Sequence, residues 1–262
     1  MLLENEKALL FSTVRIEVSS PQFPSTSIGT GFIVSVPVPN REDSSYLFLV
    51  SNRHVFVDPD HQISLVFTKR EENSGEPVLG SLTRISPFEF AGGYVAHPDP
   101  DVDLACVNIS SFGTPDLGLY FRHYTYEKFF EHLPQNLSIG QEAFFIGYPE
   151  NRFDVTHNLP LMRKGVIASA PNVNFNGKEE FLLDAQVFQG SSGSPVFAAV
   201  NGEHKIIGVI SQTMIKNSRV EAIPVGTALG VQQVIGLGVV LKASSVKGLL
   251  DHAAHSVGFN SA

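Results

Sequence analysis

Tryptophan is absent from the 262 residues, and cysteine occurs once, at Cys106. A single cysteine excludes an intrachain disulfide, so this is no disulfide-stapled scaffold. Cys106 sits between Ala105 and Val107 in an apolar run, which predicts a buried, inert thiol. Charge is scarce too: Asp, Glu, Lys and Arg make up 17% of the chain, against roughly 25% in typical soluble domains. With 43% hydrophobic residues, that scarcity excludes a disordered chain, which needs the opposite balance. The net charge of -8 offers no basic footprint for nucleic acid. No apolar run approaches the roughly 20 residues of a membrane-spanning helix. Met1 to Lys7 carries Glu4 and Glu6 where an export signal carries basic residues. The expectation is a cytoplasmic protein with no signal peptide, no membrane segment and no nucleic-acid partner.

What is plentiful points to β structure. Twenty Phe, 22 Gly and 16 Pro suit many short strands joined by turns. Strand patterns occur at Leu10–Val18, Gly29–Val36, Tyr46–Val50, Ile63–Phe67, Leu82–Ile85 and Leu104–Ile109, with a Pro/Ser-rich loop expected over Ser19–Ser27. Tyr126, Phe129, Phe130 and Leu133 then recur at helical spacing until Pro134, predicting a short helix in a linker. Strand patterns resume at Glu142–Ile146, Leu161–Ala168, Glu180–Leu183, Pro195–Val200, Lys205–Ser211 and Leu237–Leu241. Ser244–His255, with Val246, Leu249, Leu250 and Ala253 on one face, predicts an amphipathic C-terminal helix. The expected fold class is all-β: two six-stranded antiparallel β-barrels with a short linker helix and a C-terminal helix. The whole chain, 1–262, reads as one domain, with an N-terminal barrel at about 12–110, a linker at 111–136, a C-terminal barrel at 137–242 and a helix at 243–256.

Three short stretches carry chemistry. Gly190-Ser191-Ser192-Gly193-Ser194-Pro195 is a serine turn bracketed by glycines, which permit a tight backbone that exposes a hydroxyl. Alone, an ordinary hairpin turn explains it equally well. A serine becomes a useful nucleophile only with a base and with fixed donors for the oxyanion. Upstream, Ser51-Asn52-Arg53-His54-Val55 ends a buried run, placing an imidazole on rigid structure. Asp103 begins the apolar run Leu104–Val107, where an unpaired carboxylate would be costly and needs a partner. Asp99 and Asp101 read better as solvated loop carboxylates. The D-x-D-x-D they form with Asp103 lacks the glycine and glutamate of a calcium loop, Leu104 and Ser110 standing there instead. Asp58-Pro59-Asp60-His61 and the pair His252/His255 lack convergent ligand sets, so no metal is expected.

In the order His, Asp, Ser, these stretches resemble the chymotrypsin/trypsin-like serine peptidases, and among them the disulfide-free bacterial HtrA-type protease domain. Gly29-Thr30-Gly31-Phe32-Ile33, Ile146-Gly147-Tyr148-Pro149, Asp184-Ala185, Ile207–Ser211 and Leu237–Val240 extend the likeness over roughly Ser12 to Leu250. The resemblance implies a serine endopeptidase working through an acyl-enzyme, with catalytic Ser192, His54 and Asp103 and an oxyanion hole from the N–H groups of Gly190 and Ser192. Ser191 and Ser194 are rival hydroxyls, but only Ser192 directly precedes Gly193. It also implies S1 residues Gln186, Ile210, Ser211, Gln212 and Gly238, and the neutral Gln186 argues for an uncharged P1 side chain. No cofactor is implied, and the partner is a protein or peptide substrate. An activating protein partner or a homo-oligomer stays open. The chain departs from the HtrA type in having no PDZ-like segment and in placing Arg53 before the histidine. The alternative is a latent or catalytically silent peptidase-like domain that serves as a protein-binding module.

Overall fold

The computed structural model of the 262-residue chain describes residues 2–20, 23–38, 41, 44–57, 61–222 and 227–259. A short helix α1 (Glu4–Phe11) leads into strands β1 (Thr13–Ser20), β2 (Phe23–Pro37) and β3 (Ser45–Ser51). One helical turn, α2 (Arg53–Phe56), follows, then β4 (Gln62–Arg70), β5 (Pro77–Glu89), β6 (Tyr94–Ala96) and β7 (Ala105–Asn108). Two short strands, β8 (Leu119–Tyr120) and β9 (Tyr124–Thr125), precede the second half. That half comprises β10 (Glu142–Gly147), β11 (Leu161–Ile167), β12 (Glu180–Asp184), β13 (Pro195–Val200), β14 (Glu203–Ala222) and β15 (Thr227–Lys242), ending in α3 (Ala243–Phe259).

The second half is the closed six-stranded barrel that was expected, in the order β10-β11-β12-β15-β14-β13. The first half is a nine-stranded sheet along β5-β4-β1-β2-β3-β7-β6, with β8 on β4 and β9 on β2. It exceeds six strands partly because the linker contributes β8 and β9.

Buried side chains explain why β2, β3 and β7 read as continuous apolar runs: both of their faces are covered. Ile33, Leu49, Ala105 and Val107 pack with Ile16, Val55, Phe56 and Leu65 inside the N-terminal half. Their neighbours Phe32, Val34, Phe48, Val50 and Cys106 point the other way, into a core that includes the C-terminal barrel. Val246, Leu249, Leu250 and Ala253 of α3 are fully buried in that same core. Burial also pushes the Cys106 thiol well above its ordinary range, so it stays protonated.

Three expectations need correction. The helix over Tyr126–Leu133 shrinks to a single 3-10 turn, Tyr126–Lys128. Tertiary pairing overrides the helical spacing: Phe129 bridges Ile206 in parallel and stacks on Phe32 at 6.1 Å between ring centroids. Leu10 belongs to α1, where the Glu6 carboxylate accepts the Leu3 N–H at 2.7 Å and Lys7 is tied to Glu4 and Glu76. The loop expected over Ser19–Ser27 is largely strand, since β1 runs to Ser20 and β2 begins at Phe23.

The largest addition is at β14 and β15. Their pairing continues past the barrel from Ile215↔Val234 to Ala222↔Thr227, after bulges at Ile210/Gln212 and Thr213/Ile215. Only the barrel ends of these strands were read from the sequence. The ribbon beyond them contains Lys216-Asn217-Ser218-Arg219, which shows no apolar alternation.

Candidate active site

His54 is delivered by β3. That strand ends at the buried Ser51, and α2 starts directly after the buried Asn52. Val55 and Phe56 sink into the N-terminal core and anchor the turn, leaving the His54 side chain 49% exposed. Its Nδ1 lies 2.6 Å from Oδ2 of Asp103, and its backbone N–H donates to Oδ1 at 3.1 Å. An ionised carboxylate only accepts, which assigns the proton to Nδ1 and leaves Nε2 as an acceptor. Among the described residues Nε2 has no hydrogen-bond partner.

Asp103 is held on every side. Asn52 Nδ2 donates to its backbone carbonyl at 2.8 Å, and Ser211 Oγ reaches Oδ2 at 3.2 Å from the other barrel. Arg53 turns away from the cleft. Its guanidinium donates to the carbonyls of Pro100 (3.0 Å), Val102 (3.2 Å), His97 (3.3 Å) and Asp99 (3.4 Å), all on the loop that carries Asp103.

The serine turn is built from backbone bonds. Ser191 N–H donates to Phe188 O, Ser194 N–H to Ser191 O, and Gly193 N–H to Ile210 O at 2.8 Å. Gly190 and Gly193 both have positive φ, 88° and 86°. A Cβ at Gly193 would come within 1.9 Å of the Thr30 carbonyl, so no other residue fits there. Thr30, from the N-terminal sheet, donates its N–H to Ser192 O at 3.0 Å and its hydroxyl to Gly190 O at 2.7 Å. Ser191 and Ser194 are fully buried, and only Ser192 of the three serines retains exposure. Its hydroxyl donates to Ser211 O at 3.0 Å. Among the described residues neither the Gly190 nor the Ser192 N–H donates to any protein acceptor.

The expected pocket residues separate. Gln186 is exposed and, with Phe188, Val234, Ile235 and Gly236, lines a cavity of about 380 Å³. Ile210 is buried in the barrel core, and Gly238 packs where a Cβ would meet Val187 at 2.5 Å. Ser211 serves Asp103, and Gln212 is exposed. Sequence reasoning missed Phe188, Val234 and Ile235. The signal was the apolar pair Val234-Ile235 before Gly236, one turn of chain ahead of the strand that was recognised.

Among the described residues no group of three His, Cys, Asp or Glu side chains could hold a metal ion. Asp99 shapes its own loop, accepting the Asp101 N–H at 2.9 Å. His255 Nδ1 lies 2.7 Å from the Asp251 carbonyl on α3. Asp58 to Asp60 lie outside the described residues. Among the described residues no helix is long and apolar enough to cross a membrane.

Two barrel-like halves, with a histidine–aspartate pair on one and a serine turn on the other, define the trypsin-like peptidases. The model of the trypsin-like peptidase domain matches residues 29–209, and the chain belongs to that family of proteases. The match is to the family at large and does not single out the HtrA-type branch. A search of curated proteins finds no match. Among solved structures, the thermostable serine protease AL20 from an extremophilic microorganism is 14% identical with a TM-score of 0.50, over 94% of this chain and 97% of that one. The active form of the Rv3671c protease from M. tuberculosis is 20% identical with a TM-score of 0.49, over 92% of this chain and 80% of that one.

Proposed function

We propose that the protein is a serine endopeptidase with one peptidase domain, whose triad is Ser192, His54 and Asp103. The observation that carries this reading is the His54–Asp103 pair, fixed by two hydrogen bonds and joined through Ser211 to a turn with one accessible serine. Ser192 Oγ leaves Ser211 O, passes its proton to His54 Nε2 and attacks the scissile carbonyl. The N–H groups of Gly190 and Ser192 take the oxyanion, and each such donor is worth roughly 10²–10³-fold in kcat. His54 returns the proton to the leaving amine, and water then cleaves the acyl-enzyme by the reverse sequence. Asp103 orients the ring and offsets the charge of the imidazolium. Metal and cofactor have no part in this scheme.

None of the residues that line the cavity, Gln186, Phe188, Val234, Ile235 and Gly236, carries a charge, which suits an uncharged P1 side chain. The substrate is a protein or peptide. The single buried thiol suits a reducing compartment such as the cytoplasm, since the fold needs no disulfide.

A fluorophosphonate probe should label the protein, and Ser192→Ala should abolish both labelling and peptide cleavage. A P1-scanning peptide library should show cleavage after uncharged residues, and cleavage confined to Lys and Arg would overturn the pocket assignment. One observation favours a second reading, a latent enzyme: the Ser192 hydroxyl is given to Ser211 O and not to His54. Labelling that develops only with a protein partner or an oligomer would select it.

A further inference from the structure

Between the two halves lies a segment that the chemistry itself does not use, the turn Pro149–Asn151 after β10. A trans peptide is planar, with its C=O and N–H pointing in opposite directions. Whatever holds the Gln189 carbonyl therefore also decides where the Gly190 N–H points. That carbonyl accepts the Glu150 N–H at 2.6 Å, which turns the Gly190 N–H away from the Glu150 segment and leaves it free. Gly190 itself has no Cβ to resist rotation. A Cβ there would lie 2.5 Å from the Tyr148 carbonyl, so the site demands the one residue most easily flipped.

The Glu150 N–H belongs to the Pro149–Glu150 peptide, and the turn that presents it in this orientation holds both Glu150 and Asn151 in left-handed backbone, with φ of 49° and 55°. Residues with a Cβ avoid that region, Asn being the best tolerated and Glu poorly so. Two in succession persist only where the surroundings over-determine them. Here the restraint comes from the opposite half of the molecule. Arg15 on β1, nearly buried, donates from Nε to Asn151 Oδ1 at 2.9 Å. Its guanidinium also pairs with Glu17 and lies 4.9 Å over the Phe153 ring. Arg84 holds Glu17 from the other side at 2.8 Å. The Arg152 N–H closes the turn on Pro149 O at 2.7 Å.

We infer that Arg15 and Asn151 form a latch that sets the oxyanion hole: they hold Glu150 left-handed, and its N–H fixes the Gln189–Gly190 peptide. This rests on the acyl-transfer reading above. If Asn151 lets go, Glu150 relaxes to negative φ as the Pro149–Glu150 peptide flips, its N–H swings away, and the Gln189–Gly190 peptide is free to turn its carbonyl towards the hole. Asn151 and Arg15 are thus positioning residues, touching neither substrate nor the reacting atoms.

The test uses the full chain and three readouts: the rate of fluorophosphonate labelling, kcat and KM on fluorescein-labelled casein, and the melting temperature. The phosphoryl oxygen of the probe occupies the oxyanion position, so labelling reports on the hole. Asn151→Asp keeps the acceptor and tolerates left-handed backbone, and it should recover most of the wild-type rate. Asn151→Gly keeps the backbone freedom but loses the acceptor. Labelling and kcat should fall about ten-fold, with KM within about two-fold. Asn151→Ala loses both and should approach the roughly 10²–10³-fold loss expected for a missing oxyanion donor. Arg15→Lys keeps a charge beside Glu17 but lacks the Nε donor, and should behave like Asn151→Gly. Reactive wild type with Gly and Lys variants that label at its rate, whatever their melting temperatures, overturns the latch and leaves the peptidase reading intact. A wild type that neither labels nor cleaves under any condition, a protein partner or an oligomer included, overturns both.

Discussion

Arg53 stands directly before His54, where a long cationic side chain would be expected to crowd the cleft. Instead it spans from α2 to four carbonyls of the loop 97–102, stitching the element that carries His54 to the loop that carries Asp103. Five donors in a fixed fork suit this task, and lysine has no equivalent geometry. Arg53→Ala should lower kcat by about ten- to a hundred-fold with little change in KM, because small misplacements of catalytic groups cost up to about 10²-fold. Steady-state kinetics on a cleavable peptide would check this, and an unchanged kcat would reduce the guanidinium to a loop support. The identity of the residue was readable, but its direction was not. A sequence shows Arg53 adjacent to His54, whereas the carbonyls it serves are brought to it only by the fold.

At the scale of elements, β1 has a double duty. Its inward residues Val14, Ile16 and Val18 fill the N-terminal core, while its outward Arg15 and Glu17 form a charged network with Arg84 of β5. The hydrogen bond from Arg84, aided by the nearby charge of Arg15, holds the Glu17 carboxyl below its ordinary value of 4.5. A depressed carboxyl contributes stability that is complete above the unfolded-state pKa and is lost as pH falls through the folded-state value. Glu17→Gln should therefore be less stable than wild type at neutral pH, with the gap closing as the pH drops below 4.5. Urea midpoints across that range would show it, and a gap that persists in acid would point to packing as the cause. Strands such as β3 and β7 were legible because burial on both faces writes an unbroken apolar run. The helical spacing of Tyr126 to Leu133 misled, since the same spacing also serves a 3-10 turn and the bends after it, where Phe129 and Leu133 both turn inward.

Across the whole molecule, the candidate site was legible where its chemistry is packed into contiguous motifs: the His54 turn, the approach to Asp103 and the serine turn. What stayed hidden is what joins distant stretches. Arg15 and Asn151 are 136 residues apart, and nothing in the local pattern around either one points to the other. Ser211 was read as a pocket residue, yet it reaches across 108 residues to Asp103. The long ribbon of β14 and β15 was missed for the opposite reason, being regular in backbone but featureless in composition. Past Ile210 its first strand pairs only with β15, and from Ile235 outward the second pairs only with β14, among the described residues. A two-stranded ribbon is marginally stable alone in water. Its amides should therefore open by local fluctuations far below the global unfolding free energy. In hydrogen–deuterium exchange, peptides covering 213–222 and 227–235 should take up deuterium early, while Ile206–Ile210 and Val239–Leu241 stay protected. Slow uptake along the ribbon would mean that a third strand closes its edge. Early uptake would make this arm a ready place for the chain to be nicked, and the peptidase core would outlive it.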